Sequence, residues 1–83
     1  MKLSIRYFAS IREALGQSAE SLDTQALTLG ALRDELIARG GAYAQALARG
    51  KAVRLALDQV MADESAALRE GAEVAFFPPV TGG

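Results

Sequence analysis

Eighty-three residues, 51% of them apolar and 23% charged, make one small globular domain rather than a disordered chain. Nine Lys and Arg against ten Asp and Glu leave a net charge of −1, which supplies neither the basic field that holds nucleic acid nor a polybasic run for anionic membranes. With no cysteine and no histidine, the chain has no disulfide framework, no thiolate nucleophile, no zinc-finger ligand set and no imidazole base.

A domain of this size buries only about 60 to 65% of its unfolded surface, which leaves little room for an internal cleft. Any chemistry is therefore expected to use a partner's pocket. No apolar run approaches the ~18 residues of a spanning helix, and the alternation that starts at Lys2 is unlike a targeting leader. A cytoplasmic protein is expected.

Lys2 to Phe8 alternates, with Leu3, Ile5 and Tyr7 on one face and Lys2, Ser4, Arg6 and Phe8 on the other, which predicts a half-buried first strand. Ser10-Ile11-Arg12-Glu13 has the spacing of a capping box and predicts a single helical turn that stops at Gly16. Ser18 to Leu22 is short and polar enough for an edge strand, followed by a turn through Asp23 and Thr24. Thr28 then caps the main helix. Leu29, Leu32, Leu36 and Ile37 form its apolar stripe, Arg33, Asp34, Glu35 and Arg39 lie outside it, and Gly40-Gly41 ends it.

Ala42 to Ala48 predicts a further short helical turn with Tyr43 and Leu47 at i,i+4. Val53, Leu55 and Leu57 alternate with Arg54, Ala56 and Asp58, and Gln59-Val60-Met61 marks a tight turn into a very short strand. After a turn over Leu68 to Gly71, the last strand turns Val74 and Phe76 inward and Glu73, Ala75 and Phe77 outward. The order predicts an α+β roll in which the main helix joins two halves of one sheet.

Parity leaves Phe8 and Phe77 on the solvated side, both at the C-terminal ends of their strands. If those strands run parallel side by side, the rings meet, and Met61 can join them as an adaptable apolar contact. Clustered exposed apolar groups mark an interface. Elsewhere the residues promise little: Asp63-Glu64 and Glu70 read as solvated turn acids, Glu35 and Arg39 as a surface pair, and neither diglycine has the context of a phosphate loop.

The division of the chain is then a domain over residues 1–77 and an extended tail over residues 78–83. Pro78 and Pro79 lack backbone donors and fix φ, so the path beyond them leaves the sheet. At about 3.1 Å per residue the tail carries its terminal carboxylate roughly 19 Å from the strand. Gly82 and Gly83 have no side chains to obstruct a narrow channel. A carboxylate is a poor electrophile, so a partner has to convert it to a mixed anhydride with a nucleotide before an amine, thiol or sulfide attacks.

The string Glu73-Val74-Ala75-Phe76-Phe77-Pro78-Pro79-Val80-Thr81-Gly82-Gly83, together with Tyr7-Phe8-Ala9-Ser10-Ile11-Arg12-Glu13, closely resembles the small subunits of molybdopterin synthases, a ubiquitin-like sulfur-carrier family. The likeness runs over essentially the whole chain, with Thr28 opening the helix and Gly71 before the last strand. It implies the ubiquitin-like β-grasp fold, a mixed sheet of four to five strands with one main helix and an extended C-terminal tail, the first and last strands parallel.

It further implies that Gly83 is adenylated with ATP by an E1-like activating enzyme and sulfurated to a thiocarboxylate. Pro78, Pro79, Val80, Thr81 and Gly82 then enter the large subunit of the synthase. There the thiocarboxylate gives sulfur to a cyclic pyranopterin monophosphate, building the dithiolene that later holds molybdenum. The chain itself would bind no metal or cofactor and contribute no catalytic residue from a pocket of its own. Phe8, Met61 and Phe77 resemble the family's apolar contact with both partners. Asp58 departs from the pattern, since many relatives have asparagine before this turn. Carriers for thiamin, cysteine or transfer-RNA thiolation belong to the same family. A ubiquitin-like modifier, with Gly83 joined to a lysine amine, and a noncovalent β-grasp interaction module are the remaining readings.

Overall fold

The computed structural model describes residues 1–79. Its strands are β1 (Lys2–Tyr7), β2 (Ala19–Asp23), β3 (Arg54–Leu57), β4 (Val60–Ala62) and β5 (Glu73–Phe77), and its helices are α1 (Ala9–Leu15), α2 (Leu29–Ile37) and α3 (Gly41–Ala46). The strands form one mixed sheet in the order β2-β1-β5-β3-β4. β1 pairs antiparallel with β2 from Lys2↔Asp23 to Arg6↔Ala19, and parallel with β5 from Ser4↔Glu73 to Tyr7↔Phe76. β3 is antiparallel to both its neighbours, with Leu55 opposite Phe76 and Ala62.

The inward parity read in β1 and β5 holds: Leu3, Ile5, Tyr7, Val74 and Phe76 are buried. They pack on Leu29, Leu32 and Leu36 of α2, on Ile11 of α1, and on Leu47 after α3. The Tyr7 and Phe76 rings stack at 6.0 Å. On β3 the strict alternation fails, because Ala56 faces outward yet is 8% exposed. Its outward methyl is small and lies between Ala75 and Met61 on the adjoining strands, which leave it little surface to expose.

Thr28 caps α2 as expected, its hydroxyl oxygen accepting from the Ala31 N–H at 3.2 Å. Two further N–H groups of the first turn have partners outside the helix, Leu29 on the Ala66 carbonyl and Gly30 on the Glu64 carbonyl. This lays the loop before β5 directly on the helix. A Cβ at Gly30 would meet the Glu64 carbonyl oxygen at 3.2 Å and its side chain at 3.0 Å, so glycine permits the close approach.

Several expectations need correction. α1 begins at Ala9 with Phe8 as its N-cap, so Ser10 lies inside the helix and forms no capping box; the helix runs seven residues, and Gly16 stops it at φ 74 as expected. β1 runs into α1 without a loop, which leaves no position for a capping side chain before Ser10. α2 stops at Ile37, and Gly40-Gly41, with φ of 78 and 56, opens α3 instead of closing α2.

Arg33, placed outside the apolar stripe by helical periodicity, is 4% exposed. Its guanidinium donates to the carbonyls of Leu47, Ala48 and Lys51 and to Glu64 Oε2 at 2.9 Å. The segment after α3 folds over that side of α2 and brings orphaned carbonyls, which a planar fork of donors satisfies. Nor do Glu35 and Arg39 pair with each other: Glu35 accepts from the Thr24 hydroxyl and Arg39 binds Glu20.

Glu20, on the edge strand β2, is the centre of a second polar cluster, accepting from Tyr7, Gln17, Tyr43 and Arg39. Burial pushes its carboxyl up, but hydrogen bonds from Tyr43, Tyr7 and Arg39 outweigh that and hold it below the ordinary carboxylate range. A lowered folded pKa means stability that is present above the unfolded value of about 4.3 and lost as pH falls through the folded one. Glu20→Gln should therefore cost about 1–3 kcal/mol at pH 7. Urea unfolding midpoints of variant and wild type should converge as pH drops below about 4.

Candidate functional site

The parallel register carries Phe8 and Phe77 to the same end of the sheet. Tyr7 lies opposite Phe76, the Phe8 N–H donates to the Phe76 carbonyl at 3.1 Å, and the next residue of each strand is a phenylalanine. Their rings meet edge to face, 6.3 Å between centroids at 88°, an arrangement aromatic quadrupoles favour. Phe8 is 42% exposed and Phe77 half-buried, so the pair stands on the surface.

Met61, 50% exposed, lies on the same outer face but not against the rings. It is opposite Ala56, which is opposite Ala75, so two alanines form a low floor between the methionine and the phenylalanine pair. All three residues expected at an interface thus share one face. Its margins hold Arg6, whose guanidinium sits 5.9 Å from the Phe8 ring centroid, and Arg54, opposite Phe77 on β3. Sequence reading gave neither arginine a role at this face. Parity places Arg6 with Phe8, but nothing short of the β3–β5 register places Arg54.

The turn that positions Met61 uses Asp58 at φ 50 and Gln59 at φ 70. Asp58 grips the backbone of Glu73 twice: its N–H donates to the Glu73 carbonyl at 2.8 Å and its Oδ1 accepts from the Glu73 N–H at 2.9 Å. Asparagine would accept the same bond through its amide oxygen, so aspartate at this position keeps the turn intact.

Past β5, Pro78 and Pro79 are half-buried, and Pro78 lines a small hollow with Ser10, Ile11, Ala14, Ala46 and Lys51. The root of the tail is thereby seated beside α1. Val80, Thr81, Gly82 and Gly83, named above for tail insertion and modification, lie outside the described residues.

Two of the turn acids read as solvated, Asp63 and Glu64, are held by partners instead. Glu64 binds both Arg49 and Arg33, and a hydrogen bond from Arg49, working against burial, holds its carboxyl below the usual range. Hydrogen bonds from the Ser65 hydroxyl and N–H do the same for Asp63. Both are spoken for by structure, with Arg49 further tied to Asp34 and the Gly30 carbonyl. Among the described residues no group of three His, Cys, Asp or Glu is placed to hold a metal, and no helix is long and apolar enough to cross a membrane.

A mixed five-stranded sheet clasping its main helix, with parallel first and last strands, is a ubiquitin-like β-grasp. Residues 5–83 match the ThiS family, and the chain belongs to it. It is 40% identical over 81 residues to the molybdopterin synthase sulfur carrier subunit of Haemophilus influenzae and 38% identical to that of Escherichia coli, each match covering 98% of this chain and 99% of the relative. Among solved structures, SAMP1 of Haloferax volcanii superposes with a TM-score of 0.77 at 26% identity, over the full length of both chains.

Gln59 holds φ 70 without being glycine, at the second position of a two-residue hairpin where Asp-Gly is strongly favoured. Gln59→Gly should raise stability by about 0.5–1 kcal/mol. Thermal unfolding of the purified domain reads it.

Proposed function

We propose that this chain is the sulfur carrier and small subunit of a molybdopterin synthase. The observation that carries the reading is the Phe8–Phe77 pair standing where β5 passes into Pro78-Pro79, with two bare glycines beyond in the sequence. The names of the relatives support it. An apolar face at the root of a glycine-ended tail docks the domain and leaves the last residue for another protein's cavity.

In this mechanism a Gly83 carboxylate oxygen attacks the α-phosphorus of ATP on an E1-like enzyme and pyrophosphate leaves. A sulfide-level nucleophile then attacks the acyl carbon and AMP leaves, giving the thiocarboxylate. Pro78 to Gly82 thread into the large subunit, where the sulfur passes to a cyclic pyranopterin monophosphate. Phe8, Met61 and Phe77 hold the domain against both partners in turn. The chain donates sulfur, the large subunit supplies the catalytic residues, and the chain binds no cofactor itself, ATP being held by the activating enzyme. The division into a docking domain over residues 1–77 and a delivering tail over residues 78–83 follows from these roles, as does a cytoplasmic location beside the ATP-dependent activation.

Incubation with the activating enzyme, ATP and a sulfur source should raise the intact mass by about 16 Da, one sulfur for one oxygen. No gain rejects the reading, and higher-mass conjugates that resist thiol reductants indicate a protein modifier instead. Removing Gly83 should abolish sulfur transfer while leaving binding to the large subunit largely in place. Phe77→Ala should weaken that binding by about 2 kcal/mol, as for an aromatic anchor, which titration calorimetry measures.

A further inference from the structure

The docking face bears a pattern of charge that its apolar residues do not explain. Along the outer side of the sheet the rows run Ser21, Ser4, Glu73, then Ala19, Arg6, Ala75, Ala56, Met61, then Phe77 with Arg54. Approaching the tail, the charged ladder positions are both cationic, in a chain whose net charge is −1.

Neither arginine is held in a short ion pair among the described residues. Arg6 reaches Glu73 only at 3.8 Å with half its side chain in solvent, a pair of little energetic weight. Arg54 is exposed and forms no ion pair among the described residues. Asp63 lines the same hollow as Arg54 and keeps its negative charge, but its Oδ1 is turned to the Ser65 hydroxyl and N–H and makes no ion pair with Arg54, so it offsets the guanidinium only through screening solvent. Two strand spacings and one pleat separate the two Cα atoms, about 12 Å.

We infer that Arg6 and Arg54 form a two-point cationic rim that takes a partner surface carrying carboxylates on both sides of an apolar contact, about 12 Å apart. The inference rests on the docking role of the aromatic face and adds the chemistry of the surface it meets. Rim charges act on encounter and on rejection of wrong partners more than on the buried contact, because they keep much of their hydration. An uncharged or basic partner face would leave both guanidiniums pressed against it without acceptors, which disfavours the wrong complex.

The test uses the large subunit of molybdopterin synthase as probe, with affinity and association rate measured at several salt concentrations. The variants are Arg6→Glu/Arg54→Glu, Arg6→Gln/Arg54→Gln, Lys2→Glu and Phe77→Ala, each checked for an unchanged melting curve. Lys2 is an exposed cation on the same face at the far end of β1, so it reports net charge alone. The expected result is at least a tenfold loss of affinity for the double Glu variant, mainly in association rate, with a flattened salt dependence for the double Gln variant. Lys2→Glu should change affinity less than about twofold.

If Phe77→Ala weakens binding while the double Glu variant binds like wild type, the rim is overturned and docking stands. A loss from Lys2→Glu that reaches half the double Glu variant's on a logarithmic scale also overturns it, since Lys2→Glu makes half the change in net charge and net charge then accounts for the effect. If Phe77→Ala itself leaves affinity unchanged, the docking face is wrong and the rim falls with it.

Discussion

The parallel pairing of β1 with β5 is the constraint from which the rest of the molecule follows. Parallel neighbours need a crossover, so everything between Tyr7 and Glu73 has to leave one end of the sheet and return to the other. α2 supplies the span, its apolar stripe covers the inward face of the sheet, and β3 and β4 fill the free side of β5. The same pairing makes both strands end together. Phe8 and Phe77 therefore meet, and the proline pair departs beside them, for a reason of topology rather than local sequence.

A domain this small buries limited apolar surface. Two carboxylate-centred clusters add polar ties between its long connections. Arg33, Arg49 and Glu64 tie α2 to the segments after α3 and before β5, and Glu20 with Tyr7, Tyr43, Gln17 and Arg39 ties β2 and α3 to the core. Among the described residues no buried side-chain polar atom lacks a partner, so the desolvation cost of these groups is met by hydrogen bonds. Neither cluster includes Phe8, Met61 or Phe77, so the residues that tie the domain together are not those proposed for docking.

Much of this arrangement was legible where a pattern is local. The period of two in Lys2–Tyr7 and Glu73–Phe77, the threonine at the start of α2 and the glycine after α1 each act within a few residues. The burial of Arg33 was not legible, because its acceptors are carbonyls that arrive from 14 to 18 residues away. Glu20 is likewise one polar residue on an edge strand until Tyr43 and Arg39 are folded beside it. Ser10 shows the opposite failure, a correct capping spacing overruled by a strand that runs straight into its helix. For the site, parity alone put Phe8 and Phe77 outside, whereas the alanine floor and Arg54 required the β3–β5 register. That the chemistry proposed for the tail moves sulfur was readable only through resemblance, since two glycines carry no side-chain information.

The alanine floor has one more consequence. With only the methyl groups of Ala75 and Ala56 between Met61 and the phenylalanine pair, that stretch of the face presents no large side chain to key one partner contour, and many apolar surfaces would rest on it with similar contact. Shape there discriminates poorly. On the proposed docking role, sorting among the enzymes of several co-resident β-grasp proteins falls to the perimeter, and a few substitutions there would redirect an otherwise unaltered scaffold.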